Sequence, residues 1–306
     1  MKGDDRLKTP RATTRRAVLR ALAAAVLVNG TAAARAAMAP APTRIVVLSW
    51  ELTEMLLSLG VAPVGVPAPA WYARDIVEPR LPLGVTDVGL LFQPDYDLLY
   101  ELRPDLILIT PAHASARASY ERLAPTLTLG AYINDPQPYR AMCAETLILG
   151  RRLGREAQAE ALLACTDTVI AESTATLAGI RAPVWVAQVV DDRHVRVYGR
   201  GSLFDEILQS LGLRNAAAET SSGARVVELE RLALLQNANL LCVDGGVPGG
   251  LAALQGNPVW WHLPFSEPGR SAMLPVIAAT GALVSAQRFA RAVAREVPSM
   301  RTPHVI

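Results

Sequence analysis

The two halves of the sequence are joined by Pro138–Ile180, PYRAMCAETLILGRRLGREAQAEALLACTDTVIAESTATLAGI, which similar patterns of strands and helices flank on both sides. It predicts two helices that are separated at Gly154. Pro138 suits the first turn of the first helix, since its ring fixes φ at a helical value. The second helix, predicted over residues 155–180, is about 37 Å long at 1.5 Å per residue, which is enough to span the edge of two lobes. An ordinary core helix is the alternative interpretation.

Residues 43–154 predict an α/β lobe, because strand and helix patterns alternate along them. The run Asp105–Ile109 is apolar after its first residue, as in a parallel strand that is covered on both faces. Ser49 is expected to cap a helix over Trp50–Leu59, and the proline-rich stretch Pro67–Pro82 is expected to be a surface loop. The other predicted elements are strands at Arg44–Leu48, Val61–Val66 and Thr126–Leu129, and helices at Asp95–Leu102 and 116–124.

Residues 181–306 predict a second lobe of the same kind. A helix over Val227–Leu232 that leads into a strand at Asn239–Val243 repeats the order of elements in Asp95–Ile109. The other predicted elements are strands at Val184–Val190 and Val195–Tyr198, and helices at Leu203–Leu211 and Thr280–Val297. The predicted fold class is therefore α/β, with two similar lobes joined by a long backbone helix and a ligand cleft between them, beyond the carboxyl ends of the strands.

Residues 1–36 predict a cleaved export signal. They combine a basic start, the segment TRRAVL at Thr14–Leu19, a short apolar run at Ala21–Val28 and small residues around Ala34–Ala36. The paired arginines favour the twin-arginine route and a periplasmic location. The apolar run is too short for a permanent membrane span. A basic amphipathic surface helix is the alternative.

The charge that remains after removal of the predicted signal limits the classes of partner that the protein can bind. Removing residues 1–36 takes away eight basic and two acidic side chains and leaves 22 basic against 26 acidic ones. No cluster of Lys or Arg then remains to neutralise phosphates, which argues against a nucleic-acid partner.

The three cysteines, Cys143, Cys165 and Cys242, are an odd number for an exported protein and are expected to be free and buried.

Motifs for catalysis and metal binding are missing from the sequence. It contains no GxSxG, HExxH or GxxxxGK[ST] motif, so a function other than catalysis is expected. The four histidines are too dispersed to converge on one metal, so we predict no metal site made by the protein and no cofactor. His113 alone follows a predicted strand, which ends at Ile109, at the edge where the cleft is expected. An ordinary loop histidine is the alternative there.

Four aromatic residues on the expected cleft side predict a binding surface. Trp50 follows the first strand, Trp71 and Tyr72 lie in the proline-rich stretch, and Phe92 precedes Pro94. Aromatic side chains offer a large rigid contact area, and Trp and Tyr keep a polar group for a partly polar ligand. The alternative for each of them is a place in the core.

Five blocks of sequence follow one another along the chain. They are RIVVLSWELTEMLLSLGVAPVGV at Arg44–Val66, VTDVGLLFQPDYDLL at Val85–Leu99, DDRHVRVYGRGSLFDEILQSLGLRNA at Asp191–Ala216, VELERLA at Val227–Ala233 and NPVWWHLPF at Asn257–Phe265. Together they resemble the periplasmic siderophore-binding proteins for ferric hydroxamates, the substrate-binding subunits of ABC importers. The resemblance implies two α/β lobes joined by a rigid helix, a shallow cleft and small closure on binding.

The resemblance also implies a function. The chain is expected to be an exported monomer that captures an iron(III)–siderophore complex, with hydroxamates favoured, and delivers it to an inner-membrane ABC permease. Iron is then held by the chelator, so the protein supplies neither metal ligands nor catalysis. The alternatives are a binding protein for another large chelate such as cobalamin or haem, an exported enzyme on the same scaffold, and a sensor component that docks on a receptor.

Several positions depart from the family pattern where the ligand is expected. Leu91 stands in place of a cleft arginine, His113 in place of a first-lobe tyrosine and Thr280 in place of a second-lobe tyrosine. A family tryptophan near Ser221–Gly223 is missing. We therefore expect His113 and Thr280 to contact the ligand, and the cationic contact to have moved to Arg225 in the loop that follows.

The same resemblance implies that one acidic residue on each lobe docks on permease arginines. By position the candidates are Glu121, on the helix after the strand that ends at Ile109, and Asp205, on the helix after Tyr198. Ordinary solvated charges are the alternative for both.

Overall fold

Two five-stranded sheets form the framework of the protein. The computed structural model describes residues 41–219, 223–235, 237–246 and 249–301. The predicted export signal, and Ser221 and Ser222 at the missing tryptophan, lie outside these residues. From Pro42 onward the chain forms one compact unit. Every strand of the first sheet precedes every strand of the second, which confirms the predicted arrangement of two α/β lobes.

The first lobe is built on a parallel sheet. Its strands are β1 (Ile45–Val47), β2 (Gly65–Val66), β3 (Thr86–Asp87), β4 (Leu106–Ile109) and β5 (Thr126–Thr128), and its helices are α1 (Trp50–Ser58), α2 (Pro69–Asp75), α3 (Tyr96–Leu102), α4 (Arg117–Tyr120) and α5 (Pro138–Leu153), with 3-10 turns at Pro111–Ala116 and Ala131–Asn134. The strand order is β3-β2-β1-β4-β5, and each pair is parallel. β1 and β4 are buried along their whole length, which explains their continuous apolar runs. All five carboxyl ends therefore meet at one edge, which we call the cleft edge.

The second lobe is built on a mixed sheet. Its strands are β6 (Val184–Val189), β7 (His194–Tyr198), β8 (Ala224–Glu228), β9 (Asn239–Val243) and β10 (Ser271–Leu274), and its helices are α7 (Leu203–Ser210), α8 (Leu251–Gln255) and α9 (Leu283–Glu296), with 3-10 turns at Leu229–Leu234, Pro258–His262, Pro264–Ser266 and Val297–Ser299. The strand order is β10-β9-β6-β7-β8, and β7 runs antiparallel to both of its neighbours. Because β7 reverses direction, its carboxyl end at Tyr198 lies at the opposite edge from the carboxyl end of β6.

A long helix, α6 (Glu156–Thr176), links the two lobes. The predicted break before it is confirmed, because α5 ends at Gly154 in the left-handed conformation, with φ +63°. The 21 residues of α6 make it about 31 Å long, shorter than predicted because Leu177 already lies at the C-cap. α9 packs along α6, and Gln287 of α9 donates a hydrogen bond to Thr166 Oγ1 of α6 at 2.8 Å.

One apolar core is shared by the two lobes. It extends from Val47 in the first sheet through Leu149 of α5 to Val186 in the second sheet and Phe289 of α9. Two smaller apolar clusters lie apart from it, one in each lobe. A large apolar contact between lobes restricts their relative motion. Among the described residues, no helix is both long and apolar enough to cross a membrane.

We predicted that the proline-rich stretch Pro67–Pro82 is a surface loop, but part of it forms a helix. Pro69 opens helix α2, since proline suits the first helical turn. Tyr72 on this helix is fully buried, and its hydroxyl donates to the Pro79 carbonyl at 2.7 Å. Tyr72 is therefore a core residue and not part of the exposed cleft surface, which corrects its prediction as a ligand contact.

The segment Val227–Leu232 is not the helix that we predicted. Its first residues belong to β8, which pairs with β7, and only Leu229–Leu234 turns as a 3-10 helix. The branched residues Val226 and Val227 favour a strand, and the neighbouring β7 provides the partner. The likeness between the two lobes therefore does not extend to this segment.

All three cysteines are free, as predicted, but they are not all buried. Cys165 on α6 is exposed, Cys143 is partly buried and Cys242 is buried. Desolvation by burial raises the pKa of Cys143 to about 11 and that of Cys242 to about 12. Cys165 is thus the accessible thiol of the three, because α6 turns that side toward solvent.

Candidate functional site

Two tryptophans stand at the cleft edge of the first lobe. Trp50 opens α1, directly after β1, and its indole N–H donates to the Pro67 carbonyl at 2.8 Å. Trp71 of α2 packs edge-on against Trp50, with ring centroids 6.1 Å apart, and 49% of Trp71 is exposed. The hydrogen bond fixes Trp50, so Trp71 is presented to solvent on a rigid support. We call Trp50, Trp71 and Phe92 the aromatic wall.

Phe92 is exposed to solvent, and one face of its ring packs against the buried imidazole of His113. Phe92 is 64% exposed, and its ring centroid lies 5.1 Å from that of the His113 imidazole. His113 itself is buried: Nδ1 lies 2.9 Å from Thr110 Oγ1, and Nε2 lies 2.9 Å from the Leu91 carbonyl oxygen. The structure thus corrects the prediction that His113 contacts the ligand directly, since the imidazole is occupied in holding the loop that carries Phe92.

A cavity of about 210 Å³ lies between the lobes. First-lobe residues 132–134 and Pro138 line one side, and second-lobe residues 198, 201–203, 223–224 and 279–281 line the other. Thr280 is among them, and its hydroxyl donates to Glu51 Oε1 at 2.9 Å; its contact with a ligand stays a prediction. Glu51 directly follows Trp50, so this bond connects a cavity residue to the helix that carries Trp50.

Arg225 lies in strand β8, whereas we predicted that it lies in a loop. It pairs with Val197 of β7, and its side chain is exposed. The preceding residues, Gly223 and Ala224, line the cavity, but Arg225 does not. The structure therefore places Arg225 beside the cavity and leaves its proposed contact with a ligand as a prediction.

A buried carboxylate, Glu54, is a feature of the site that sequence reasoning missed. It lies on α1 with no exposed surface. It accepts hydrogen bonds from the backbone N–H groups of Ala282, at 2.9 Å, and Ser285, at 2.7 Å, and from the Ser285 hydroxyl at 2.8 Å. Desolvation by burial raises the pKa of Glu54 to about 7, against the lowering effect of these bonds. The only signal in the sequence was an acidic residue among the apolar positions of α1.

The two predicted docking residues differ in their surroundings. Glu121 is exposed; its carboxylate lies 2.7 Å from Arg117 Nε and accepts from the Thr126 hydroxyl at 3.0 Å. Asp205 is only 2% exposed, and its oxygens accept from Asn215 at 2.8 Å and Gln209 at 2.6 Å. This burial corrects the prediction for Asp205, because its carboxylate is already occupied inside the second lobe.

We expect Asp205→Ala to lower the free energy of unfolding by about 2 kcal/mol, because it leaves the buried amide of Asn215 without one acceptor. Glu121→Ala is the matched control, since it removes an exposed carboxylate and is expected to change stability by about 0.5 kcal/mol or less. Urea denaturation of both variants measures the difference. Equal losses of stability would contradict a structural role for Asp205.

Comparisons with known proteins agree with this architecture. The family model described as periplasmic binding protein matches residues 45–275. The iron(3+)-hydroxamate-binding protein FhuD of Escherichia coli strain K12 is 34% identical over 283 residues, which are 91% of this chain and 94% of that protein. The petrobactin-binding protein YclQ of Bacillus subtilis strain 168 is 23% identical over 211 residues, 68% of this chain and 66% of that protein.

A solved structure shares the fold. The siderophore-binding protein FhuD from Vibrio cholerae, crystallised with Fe3+–Desferal, superposes with a TM-score of 0.76 at 24% sequence identity, over 83% of this chain and 97% of that chain. The match of the family model extends from the first strand of the first sheet into the last strand of the second. The chain therefore belongs to the periplasmic binding protein family.

Proposed function

We propose that this protein is the substrate-binding subunit of an ABC importer and that it captures an iron(III)–siderophore complex, of the hydroxamate type, between its two lobes. The observation that carries the proposal is the 34% identity to the iron(3+)-hydroxamate-binding protein of Escherichia coli over 94% of that protein's length. An identity of this extent covers both lobes and the helix between them, so it includes the elements that form the cleft.

The aromatic wall supports this proposal from the chemistry of the ligand. A ferric hydroxamate is a large complex whose surface is mostly apolar carbon chain around a polar core. Trp71 and Phe92 offer exposed rings to the carbon chain, and Thr280 lines the cavity between the lobes. Iron arrives inside the chelator as cargo, so no bond is made or broken and the protein needs no resident metal.

We further propose a periplasmic location, reached by a twin-arginine signal, and delivery by a monomer to an inner-membrane permease. An exposed acidic residue suits docking on a permease because charge pairs steer the encounter of two proteins. Glu121 is exposed and lies on the first lobe, so Glu121→Arg is expected to reduce uptake at least tenfold while ligand affinity stays within twofold. Uptake at the wild-type rate would remove Glu121 from the docking surface.

Arg225→Ala tests whether a cation beside the cavity contributes to binding. A hydrogen bond to a charged group is worth about 1.5–3 kcal/mol, so the dissociation constant is expected to rise about tenfold or more. Arg225→Lys should restore only part of the affinity, because Lys lacks the planar fork of donors. An affinity unchanged within twofold, in a variant of normal stability, would show that Arg225 does not contact the ligand.

Thermal denaturation with a panel of chelates tests the proposed function. Ligand at 100 times its dissociation constant adds about 2.7 kcal/mol to the stability of the folded state. We expect iron(III) trihydroxamates to raise the melting temperature and metal-free chelators to raise it less. A rise with cobalamin or haem alone would replace the hydroxamate with another large chelate, and no rise with any member would refute the proposal.

A further inference from the structure

Three carboxylates lie directly behind the walls of the interlobe cavity. They belong to Glu54 on α1, Glu145 on α5 and Glu206 on α7. Each accepts hydrogen bonds from backbone N–H groups within two residues of a segment that lines the cavity. The three residues come from three different helices, so the shared arrangement does not follow from a local sequence motif.

Glu54 holds the wall formed by residues 279–281. Its carboxylate accepts the N–H groups of Ala282 and Ser285 at the start of α9, and the Ala282 N-cap position has no side-chain cap of its own. A Cβ atom added to Gly281 would lie 2.8 Å from Glu54 Oε2 and 2.1 Å from Ser285 Oγ. The wall backbone therefore packs against the carboxylate so closely that no side chain fits at Gly281.

Glu206 holds the wall at Pro138 from the other lobe. Its carboxylate accepts the N–H of Tyr139 in the first turn of α5, where Gln137 at the N-cap position provides no side-chain cap. Glu54 reaches from the first lobe to the second, and Glu206 reaches from the second lobe to the first. Each lobe thus caps a helix of the other on the two sides of the cavity.

Glu145 holds the wall formed by residues 132–134. Its two oxygens accept the N–H groups of Gly130 and Ala131, the latter at 3.0 Å, at the start of the 3-10 turn Ala131–Asn134. This contact lies within the first lobe. Hydrogen bonds from backbone N–H groups to a carboxylate are stronger than those between neutral groups, so all three contacts fix the backbone that they reach.

We propose that Glu54, Glu145 and Glu206 are positioning residues that hold the walls of the interlobe cavity in the shape that receives the ligand. This inference rests on the proposed function, because it takes the cavity as part of the ligand site. None of the three side chains lines this cavity, although Glu206 lines a neighbouring cavity of about 600 Å³. They act on the cavity through the backbone of Thr280, Pro138 and the turn at Tyr132, so loosening Glu54 or Glu145 moves a wall without removing a side chain from it.

The test uses Glu54→Gln, Glu145→Gln and Glu206→Gln, which keep the shape of the side chain but replace one acceptor oxygen with an NH2 donor. Asp105→Asn is the matched control: Asp105 accepts the N–H groups of Thr43 at 2.8 Å and Arg44 at 2.9 Å, at the edge of the first sheet opposite the cavity. Hydrogen–deuterium exchange reports the release of the backbone, and titration with ferrioxamine B, the iron(III) complex of a linear trihydroxamate, reports affinity.

Each cavity variant is expected to speed exchange at its own wall and to raise the dissociation constant at least tenfold. Asp105→Asn is expected to speed exchange at Thr43 and Arg44 and to leave the dissociation constant within twofold. Cavity variants that bind within twofold of wild type, or a control that binds as weakly as they do, would overturn the inference. If Glu54→Gln fails to fold, the half-buried Glu145 and Glu206 decide the outcome.

The failure of the inference and that of the proposed function are distinguishable. Wild-type protein that does not bind ferrioxamine B or another ferric hydroxamate contradicts the proposed function. Exchange at the three walls that is unchanged in the glutamine variants contradicts the positioning role, whatever the ligand. Faster exchange together with weaker binding supports both.

Discussion

The double replacement Trp71→Ala and Phe92→Ala is expected to weaken binding of a ferric hydroxamate about 100-fold or more, because each aromatic side chain contributes about 1.5–3 kcal/mol when it is buried against an apolar surface. Both side chains are largely exposed in the free protein, at 49% and 64%. Their loss should therefore leave the stability of the unliganded protein almost unchanged. The effect appears as a higher dissociation constant in a fluorescence or calorimetric titration.

Tyr100→Ala is the control for this prediction. Tyr100 is another exposed aromatic residue of the first lobe, at 72%, but it lies in the last turn of α3, next to the edge of the sheet opposite the cleft edge. Its removal should leave the dissociation constant within twofold. Equal weakening by Tyr100→Ala, or a double variant that binds like wild type, would show that the aromatic wall is not the ligand surface.

Stability should depend on pH through the buried Glu54. Its pKa is raised from about 4.5 to about 7 in the folded protein, so the folded state binds this proton more tightly than the unfolded chain does. The contribution to stability is then fully present below pH 4.5 and is lost as pH rises through 7. A shift of this size corresponds to about 3 kcal/mol. Glu51, Tyr72 and Tyr132 are the other titratable groups that interact with Glu54 or share its surroundings.

Comparison of wild type with Glu54→Gln isolates this contribution, since the other titrating groups are common to both proteins. At pH 5 the wild type should have its largest advantage in stability over the variant, because its carboxyl is then neutral and its burial does not desolvate a charge. This advantage should shrink by about 3 kcal/mol between pH 5 and pH 9. An advantage that grows with pH would mean that the start of α9 stabilises the ionised carboxylate more than burial destabilises it.

Local patterns were sufficient to predict much of the fold. Ser49 was predicted as a helix cap, and its side chain accepts the backbone N–H of Leu52 in the first turn of α1. The apolar run before Thr110 was predicted as a covered parallel strand and lies inside the first sheet, between β1 and β5. These predictions succeed because caps and periodic apolar positions act over a few residues, within reach of pattern reading.

The site was less predictable, because its contacts join residues that are distant in the sequence. Glu54 and Ala282 are 228 residues apart, and no spacing rule relates them. Asp205 had the appearance of a surface charge on an amphipathic helix, yet Asn215 meets it from the other side. Tyr72 was assigned to a loop because its neighbours are prolines, although one of them starts the helix that buries it. Burial of polar groups is set by tertiary packing, which the sequence does not display locally.

The proposed function requires that a ferric hydroxamate binds between the lobes, and equilibrium titration of tryptophan fluorescence measures this binding. Trp50 and Trp71 stand at the cleft edge, so a bound iron(III) complex should quench their emission. We predict saturable quenching by ferrioxamine B at one complex per protein chain, absent in the Trp71→Ala and Phe92→Ala double variant at the same concentration. No saturable response to any ferric hydroxamate, in protein that responds to cobalamin or haem, would contradict the proposed function.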